Sequence, residues 1–291
     1  MKIKKSIGIH DGSFHADEVS ACALLIHFGL GDKDKIIRTR DYKKLEECDY
    51  VCDVGGVYDP AIKRFDHHQA DYKGDLSSAG MVLNYLKDQY DLPSVLYDHL
   101  NNSWIHGVDA HDNGRYTAEM GTSTFSHIIA NFMPIHYEAS EIELHEGFTK
   151  ALDFTLGHLK RMVDRFFYIR SCKEEVAHAM KASDEVLYFD HLLPWMDLFF
   201  ELGGDHHPAR FVIMPSASGW KLRGIPPNSR DRMKVRQPMP EKWAGLLDSK
   251  LAQVSGIDGA IFCHKGRFIS VWKTKEDAQL ALKKITKTHL I

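Results

Sequence analysis

A chain of 291 residues with 44% apolar content can bury one large core or two smaller ones, and two domains are expected. Its 37 Lys and Arg against 40 Asp and Glu leave a formal charge of −3, which excludes a global basic field able to hold a polyanion non-specifically. No run of about 18 apolar residues is present to span a bilayer, and MKIKKSIGIH lacks the apolar stretch of about 7–15 residues that a secretory signal needs, so a cytoplasmic protein is expected.

In chain order, Ser6 to Ile9 is a short apolar strand, His10 to Asp17 a polar loop and Val19 to Phe28 a helix. Ile36 to Thr39 is a second strand, Tyr42 to Glu47 is compatible with a helix, and Tyr50 to Val54 is a third strand ended by Gly55 and Gly56. Strands alternating with helices predict an α/β fold: a parallel sheet with helices on both faces. Ligands gather beyond the carboxyl ends of such strands, so the loops after Ile9, Val54 and Phe65 are expected to converge. Ala79 to Tyr90 reads as helical, as does most of Glu141 to Lys181, with Leu152, Leu156, Leu159, Met162 and Phe166 near helical spacing. That block offers a surface for homo-oligomerisation, although a buried core helix has the same pattern. It also closes the first domain, 1–180. Short apolar runs separated by Gly, Pro and Asp turns follow, at Glu185 to Phe189, Ala209 to Met214, Trp220 to Gly224 and Ala260 to Cys263. They predict a smaller α+β domain, 181–291.

Histidine is the outlier, at 18 copies, and imidazole is the commonest protein ligand for divalent metals. Cys22, Cys48, Cys52, Cys172 and Cys263 form no CxxC pair and read as reduced thiols. His10, Asp11, His15 and Asp17 fall within eight residues of one post-strand loop, and Asp53, Asp66, His67, His68, Asp109 and Asp112 follow. Oxygen and imidazole donors without thiolate suit Mn²⁺ or Mg²⁺, and their number exceeds what one ion can use. Two ions about 3.5–4 Å apart would need a bridging carboxylate, and Asp53 at the end of YVCDVGG is well placed. Each His-Asp pair taken alone would more often be a solvated turn; the conjunction of an acidic residue after each of two apolar runs argues for a site.

The triplet Asp66-His67-His68 resembles the signature of the DHH phosphoesterase superfamily. GIHDGSFHADEVSACALL, DVGGVYDP, RFDHHQ and GVDAHDNG, with RQPMPEKWAGLLDSKLAQVSGIDGAIFCHKGRFI near the end, are similar to the melanocyte proliferating gene family within it, over nearly the whole chain. This resemblance implies a DHH-type catalytic domain and a metal-dependent 3′–5′ exonuclease acting on single-stranded RNA or a short oligonucleotide. It implies one ion on His10, His15 and Asp53, and another on Asp17, Asp53, His67 and Asp109. Asp112 could support or replace Asp109, and Asp66 stands beside the ligands. Catalytic roles are expected for Asp53, Asp11 and His68, with His68 also touching phosphate. Asp11 stands where relatives often carry Asn, and His15 where many carry aspartate.

In the second domain Arg230, Arg232, Lys234 and Arg236 form a basic run; charge runs are usually solvated faces, but Arg236 lies in the matching block and is the preferred substrate contact, with Arg230, Arg232 and His264 as candidates. Trp220, Trp243 and Phe268 could stack bases or fill the core, and Asp205-His206-His207 reads as a turn. Other readings are hydrolysis of pyrophosphate or a cyclic dinucleotide, and a non-catalytic metal or nucleotide sensor.

Overall fold

The computed structural model describes residues 2–287. The chain divides into two compact units, Met1–Phe166 and Phe167–Ile291. The division falls inside a long helix, upstream of the 180/181 boundary expected from sequence.

The first unit runs β1 (Ile3–Ile9), α1 (Ala16–His27), β2 (Ile36–Arg38), α2 (Tyr42–Glu47), β3 (Cys48–Cys52), β4 (Tyr58–Asp59) and β5 (Arg64–Phe65). It continues through α3 (Ser78–Gln89), α4 (Ser94–Leu100), a π-helical turn at Asn101–Ile105, α5 (His106–Asp112), α6 (Phe125–Ala130) and most of α7 (Glu141–Ser171). The strand order is β2-β1-β3-β5-β4, with every pairing parallel except β4 against β5. In β3 the side chains alternate as the pleat requires. Tyr50 and Cys52 enter the large core formed with α1, α3 and α7, while Val51 between them packs with Leu45 of α2 on the other face. Helices therefore cover both faces, and apolar residues at successive positions of β3 are explained.

The second unit contains α8 (Lys173–Ala182), β6 (Val186–Tyr188), α9 (Met196–Glu201), β7 (Phe211–Ser216), β8 (Gly219–Gly224), α10 (Asp248–Ser255), β9 (Ala260–Cys263), β10 (Ile269–Trp272) and α11 (Lys275–Lys287). Its sheet has the order β6-β7-β8-β10-β9, mostly antiparallel. Phe211 and Ile213 face a core with α10 and α11, and Val212 and Met214 face one with α8 and α9. The expected α+β unit is present. β10 was not foreseen because ISVW follows a turn of charged residues and carries Ser270 inward, where the Trp272 Nε1 donates to its hydroxyl at 2.9 Å. The helical block expected from Glu141 to Lys181 is two helices meeting at Cys172. All five cysteines are free and buried. No helix among the described residues is long and apolar enough to cross a membrane.

Candidate metal centre

The loops after β1, β3 and β5 do converge. His10 follows β1, and its Nδ1 donates to the carbonyl of Asp11 at 2.9 Å, which turns Nε2 towards Glu18 Oε1 at 3.1 Å and Asp53 Oδ2 at 3.3 Å. The loop beyond His10 is braced from outside, because Arg38 donates to the carbonyl of Gly12 and lies 5.0 Å from the centroid of the Phe148 ring. His15 is the N-cap of α1, and its backbone N–H donates to Glu18 Oε1 at 2.9 Å. Asp53 sits just past β3 with φ of +57°, a left-handed backbone that costs a non-glycine residue about 1–3 kcal/mol and is common at functional sites. Gly55 and Gly56, both at positive φ, turn the chain away directly afterwards.

Asp66 spends its carboxylate on the turn that presents the two histidines. Oδ1 accepts from the His67 and His68 amides and from His68 Nδ1 at 2.8 Å, and Oδ2 accepts from Gly56 N at 2.6 Å. His67 Nε2 then lies 3.4 Å from Asp53 Oδ1, 3.1 Å from Asp112 Oδ2 and 3.8 Å from Asp17 Oδ2. His68 stands 64% exposed, with Nδ1 also 3.4 Å from Asp53 Oδ1. Three donor groups result: His10, His15, Glu18 and Asp53; Asp53, His67 and His68; and Asp17, His67 and Asp112. Asp53 links the first to the second, and His67 links the second to the third. His10, His15, Asp53, His67, His68 and Asp112 line a cleft of about 1270 Å³, and Asp17 and Glu18 are fully buried.

Asp109, expected as a ligand, belongs to none of the three donor groups. Its Oδ1 accepts from Ser77 N at 3.0 Å, Ser77 Oγ at 2.7 Å and Gly80 N at 3.1 Å. Asp17 accepts from Ser78 N at 3.0 Å and Ala79 N at 2.6 Å. The amino end of α3 is thus capped by two carboxylates from other helices, where exposed N–H groups and the helix dipole favour negative charge. Asp112, three residues on along α5, reaches His67 at 3.1 Å. Glu18 was missed by sequence reasoning; its signal is the spacing His15-x-x-Glu18, a capping-box position that also sets the carboxylate 3.1 Å from His10 Nε2.

The electrostatics follow from crowding donors without water. Burial pushes the Asp17 carboxyl well above its ordinary range, aided by the nearby charges of Asp53 and Asp112. Burial also opposes ionisation of Asp53, but the imidazoles of His10 and His67, 3.3 and 3.4 Å from its oxygens, outweigh it and hold that carboxyl below the usual range. Burial disfavours protonated His10 and His67, yet their acidic partners push them up to about 10 and about 11. His68 is raised by its hydrogen bond to Asp66 against burial. Even so, Asp53 Oδ1, His67 Nε2 and Glu18 Oε2 are buried without a hydrogen-bond partner. Buried polar atoms rarely stay unpaired. Imidazole and carboxylate donors that face one another unpaired fit divalent cations.

Asp11 belongs to none of the donor groups. Its carboxylate pairs with Arg40 Nε at 3.2 Å. In the second unit, Arg236, expected to contact substrate, holds backbone: Nε donates to Pro226 O at 3.1 Å, Nη1 to Ala209 O at 2.8 Å and to His207 O, and Nη2 to Gly204 O at 2.6 Å. Arg232 pairs with Asp197, and the Arg230 amide donates to Asn228 Oδ1 at 2.9 Å. His264 Nδ1 accepts from Gly266 N at 2.9 Å in a turn. Trp243 is 1% exposed and belongs to the core, while Trp220 packs against that core with Lys275 Nζ 5.2 Å from its ring centroid. The His264 ring lies 4.4 Å from that of Phe268. His207, of the second DHH-like triplet, has its Nε2 2.9 Å from the Met180 carbonyl of α8.

An α/β sheet with imidazoles and carboxylates grouped in this way beyond its strand ends defines the class of metal-dependent hydrolases. Residues 6–285 match the family described as Uncharacterised protein family (UPF0160), MYG1_exonuc. The chain is 54% identical to the MYG1 protein of Chlamydia pneumoniae over 97% of both chains. It is 32% identical to the human MYG1 exonuclease over 94% of this chain and 83% of that one. The chain belongs to this MYG1 family. A crystal structure of RecJ from Thermus thermophilus in complex with Mn²⁺ aligns over 98% of this chain and 52% of its own, at 14% identity and a TM-score of 0.28, too loose a superposition to transfer anything.

Proposed function

We propose that the protein is a metal-dependent exonuclease that removes nucleotides from the 3′ end of single-stranded RNA or a short oligonucleotide. One observation carries this reading: Asp53 Oδ1 and His67 Nε2, both buried and without hydrogen-bond partners, face each other at 3.4 Å where the donor groups join. The exonuclease name carried by relatives that align over most of this chain supports the reaction class.

His10, His15, Glu18 and Asp53 would hold one divalent cation and Asp17, Asp53, His67 and Asp112 a second, Mn²⁺ first and Mg²⁺ as substitute. Such a pair supplies neutralisation of phosphate charge and a more acidic water. The protein's own groups set the geometry. The Asp11 carbonyl fixes the His10 ring and the Asp66 carboxylate fixes the His67-His68 turn, so the donors stand ready without reorganisation. His68, tied to Asp66 through Nδ1 and raised in basicity, holds a proton at the mouth of the cleft. As water adds to phosphorus and the P–O3′ bond breaks, the leaving O3′ takes a proton and a 5′-mononucleotide departs.

The test is an oligoribonucleotide labelled at its 5′ end, incubated with purified protein and Mn²⁺, beside a DNA oligonucleotide, pyrophosphate and a cyclic dinucleotide. Stepwise shortening of the labelled RNA with release of 5′-mononucleotides is expected, and is abolished by EDTA. Immediate release of the labelled terminal nucleotide would reverse the direction, and turnover confined to pyrophosphate would overturn the nuclease reading.

A further inference from the structure

The donor groups leave one requirement of a nucleotide substrate unmet. Among the described residues, a phosphate entering the cleft meets five carboxylates in its walls, Asp11, Asp53, Asp66, Asp112 and Glu141, and a single lysine or arginine, Arg40. Arg40 is 66% exposed at its side chain and makes its ion pair with Asp11 through Nε rather than through its terminal nitrogens. Two residues on, Tyr42 is 69% exposed although its ring is a large apolar surface, and it lines the same cleft.

Both positions are fixed by backbone. Thr39 N donates to Ile9 O at 2.8 Å and continues the pairing of β1 with β2; Asp41 N donates to Thr39 Oγ1 at 3.1 Å; and the Asp41 side chain accepts from Lys43 N at 2.9 Å, capping α2. Asp41 is extended, at φ −73° and ψ 111°, so its neighbours Arg40 and Tyr42 fall on one side of the chain. The segment is thereby held beside the strand end that delivers His10.

We infer that Arg40 and Tyr42 form a nucleotide-binding subsite in which the guanidinium grips a phosphate oxygen and the tyrosine ring stacks on the adjoining base. This rests on the exonuclease reading and names what distinguishes a strand-terminal nucleotide from phosphate alone. A guanidinium donates charge-assisted hydrogen bonds to phosphate, and every base has a π face that an aromatic ring accepts without regard to sequence. Asp11, outside the donor groups, positions Arg40.

The experiment measures binding of 5′-AMP and of inorganic phosphate to the full chain with Mn²⁺ by titration calorimetry, in the wild type, Arg40→Gln, Tyr42→Ala and Tyr42→Phe. Wild type binds 5′-AMP more tightly than phosphate. Tyr42→Ala weakens 5′-AMP by about tenfold and leaves phosphate unchanged, while Tyr42→Phe retains both. Arg40→Gln weakens both ligands by about the same factor, also near tenfold. Equal affinity for the two ligands in the wild type, or 5′-AMP binding indifferent to Tyr42→Ala, overturns the stacking contact; phosphate binding indifferent to Arg40→Gln overturns the grip. Continued shortening of RNA alongside those failures leaves the exonuclease reading standing, whereas an inactive wild type that still shows the binding pattern removes that reading alone.

Discussion

Asp53 concentrates the chemistry in one side chain, with carboxylate oxygens 3.3 Å from His10 Nε2 and 3.4 Å from His67 Nε2. Its left-handed backbone tolerates Asn better than other non-glycine residues, so Asp53→Asn changes charge while sparing the turn. The expected result is a fall in kcat of at least about 100-fold with an unchanged circular dichroism spectrum. Asp109 and Asp112 separate two roles that their spacing does not. Asp112→Asn is expected to lower bound Mn²⁺, measured by metal analysis, with little change in melting temperature. Asp109→Asn should do the reverse, because it weakens a cap on α3 worth about 1 kcal/mol and leaves the cleft donors in place. Equal metal loss in both variants would restore Asp109 as a ligand.

At the level of elements, the amino end of α3 is what turns local sequence into a site. Ser77, Ser78, Ala79 and Gly80 give their amides to Asp17 and Asp109, which docks α3 on α1 and α5 together. Gly80 permits this approach, since a Cβ there would lie 2.3 Å from Asp109 Oδ2. Gly→Ala within a helix ordinarily stabilises by about 0.5–1 kcal/mol. Gly80→Ala is expected to destabilise by about 1–3 kcal/mol in urea unfolding, an inversion of sign that a steric conflict with Asp109 explains. Arg236 plays the matching part in the second unit, joining the carbonyls of Gly204, His207, Ala209 and Pro226. Arg236→Ala is therefore expected to lower stability by at least about 2 kcal/mol while the KM for RNA stays within about twofold of wild type. A large rise in KM at unchanged stability would return it to the substrate.

For the whole molecule, loading of the centre is linked to protons. Without cations, His10 and His67 are pushed up to about 10 and about 11 by acidic neighbours, after burial is overcome, so both carry protons at pH 7. Ligation needs neutral imidazole, so binding expels those protons and apparent Mn²⁺ affinity rises with pH. Calorimetric titrations at pH 7 in two buffers of different ionisation enthalpy should give enthalpies that diverge in proportion to the protons released; identical enthalpies would show that the histidines are not ligands. Stability of the metal-free protein follows the opposite trend. Histidines raised above their unfolded value contribute fully below about pH 6.5, and that contribution fades as pH climbs through about 10. EDTA-treated protein should lose melting temperature on going from pH 7 to pH 10 by more than protein kept with Mn²⁺.

The alternation of short strands with helices, read from the sequence alone, set the α/β character of the first unit and the α+β character of the second, because periodicity reports which faces must leave water. Residue type alone put forward His10, Asp11, His15, Asp17, Asp53, Asp66, His67, His68, Asp109 and Asp112 together, and the resemblance to a family narrowed them to ligands. What spacing could not decide was direction. Asp109 and Asp112 lie three apart on one short helix preceded by a π turn at Asn101–Ile105, and the docking of that helix against α3 sends one carboxylate to amides and the other to the cleft. Glu18 drew no attention and Arg236 looked like a phosphate grip because a side chain's chemistry is local, whereas the partner that consumes it can come from far along the chain. That pairing is decided by tertiary packing, where each buried donor must find an acceptor.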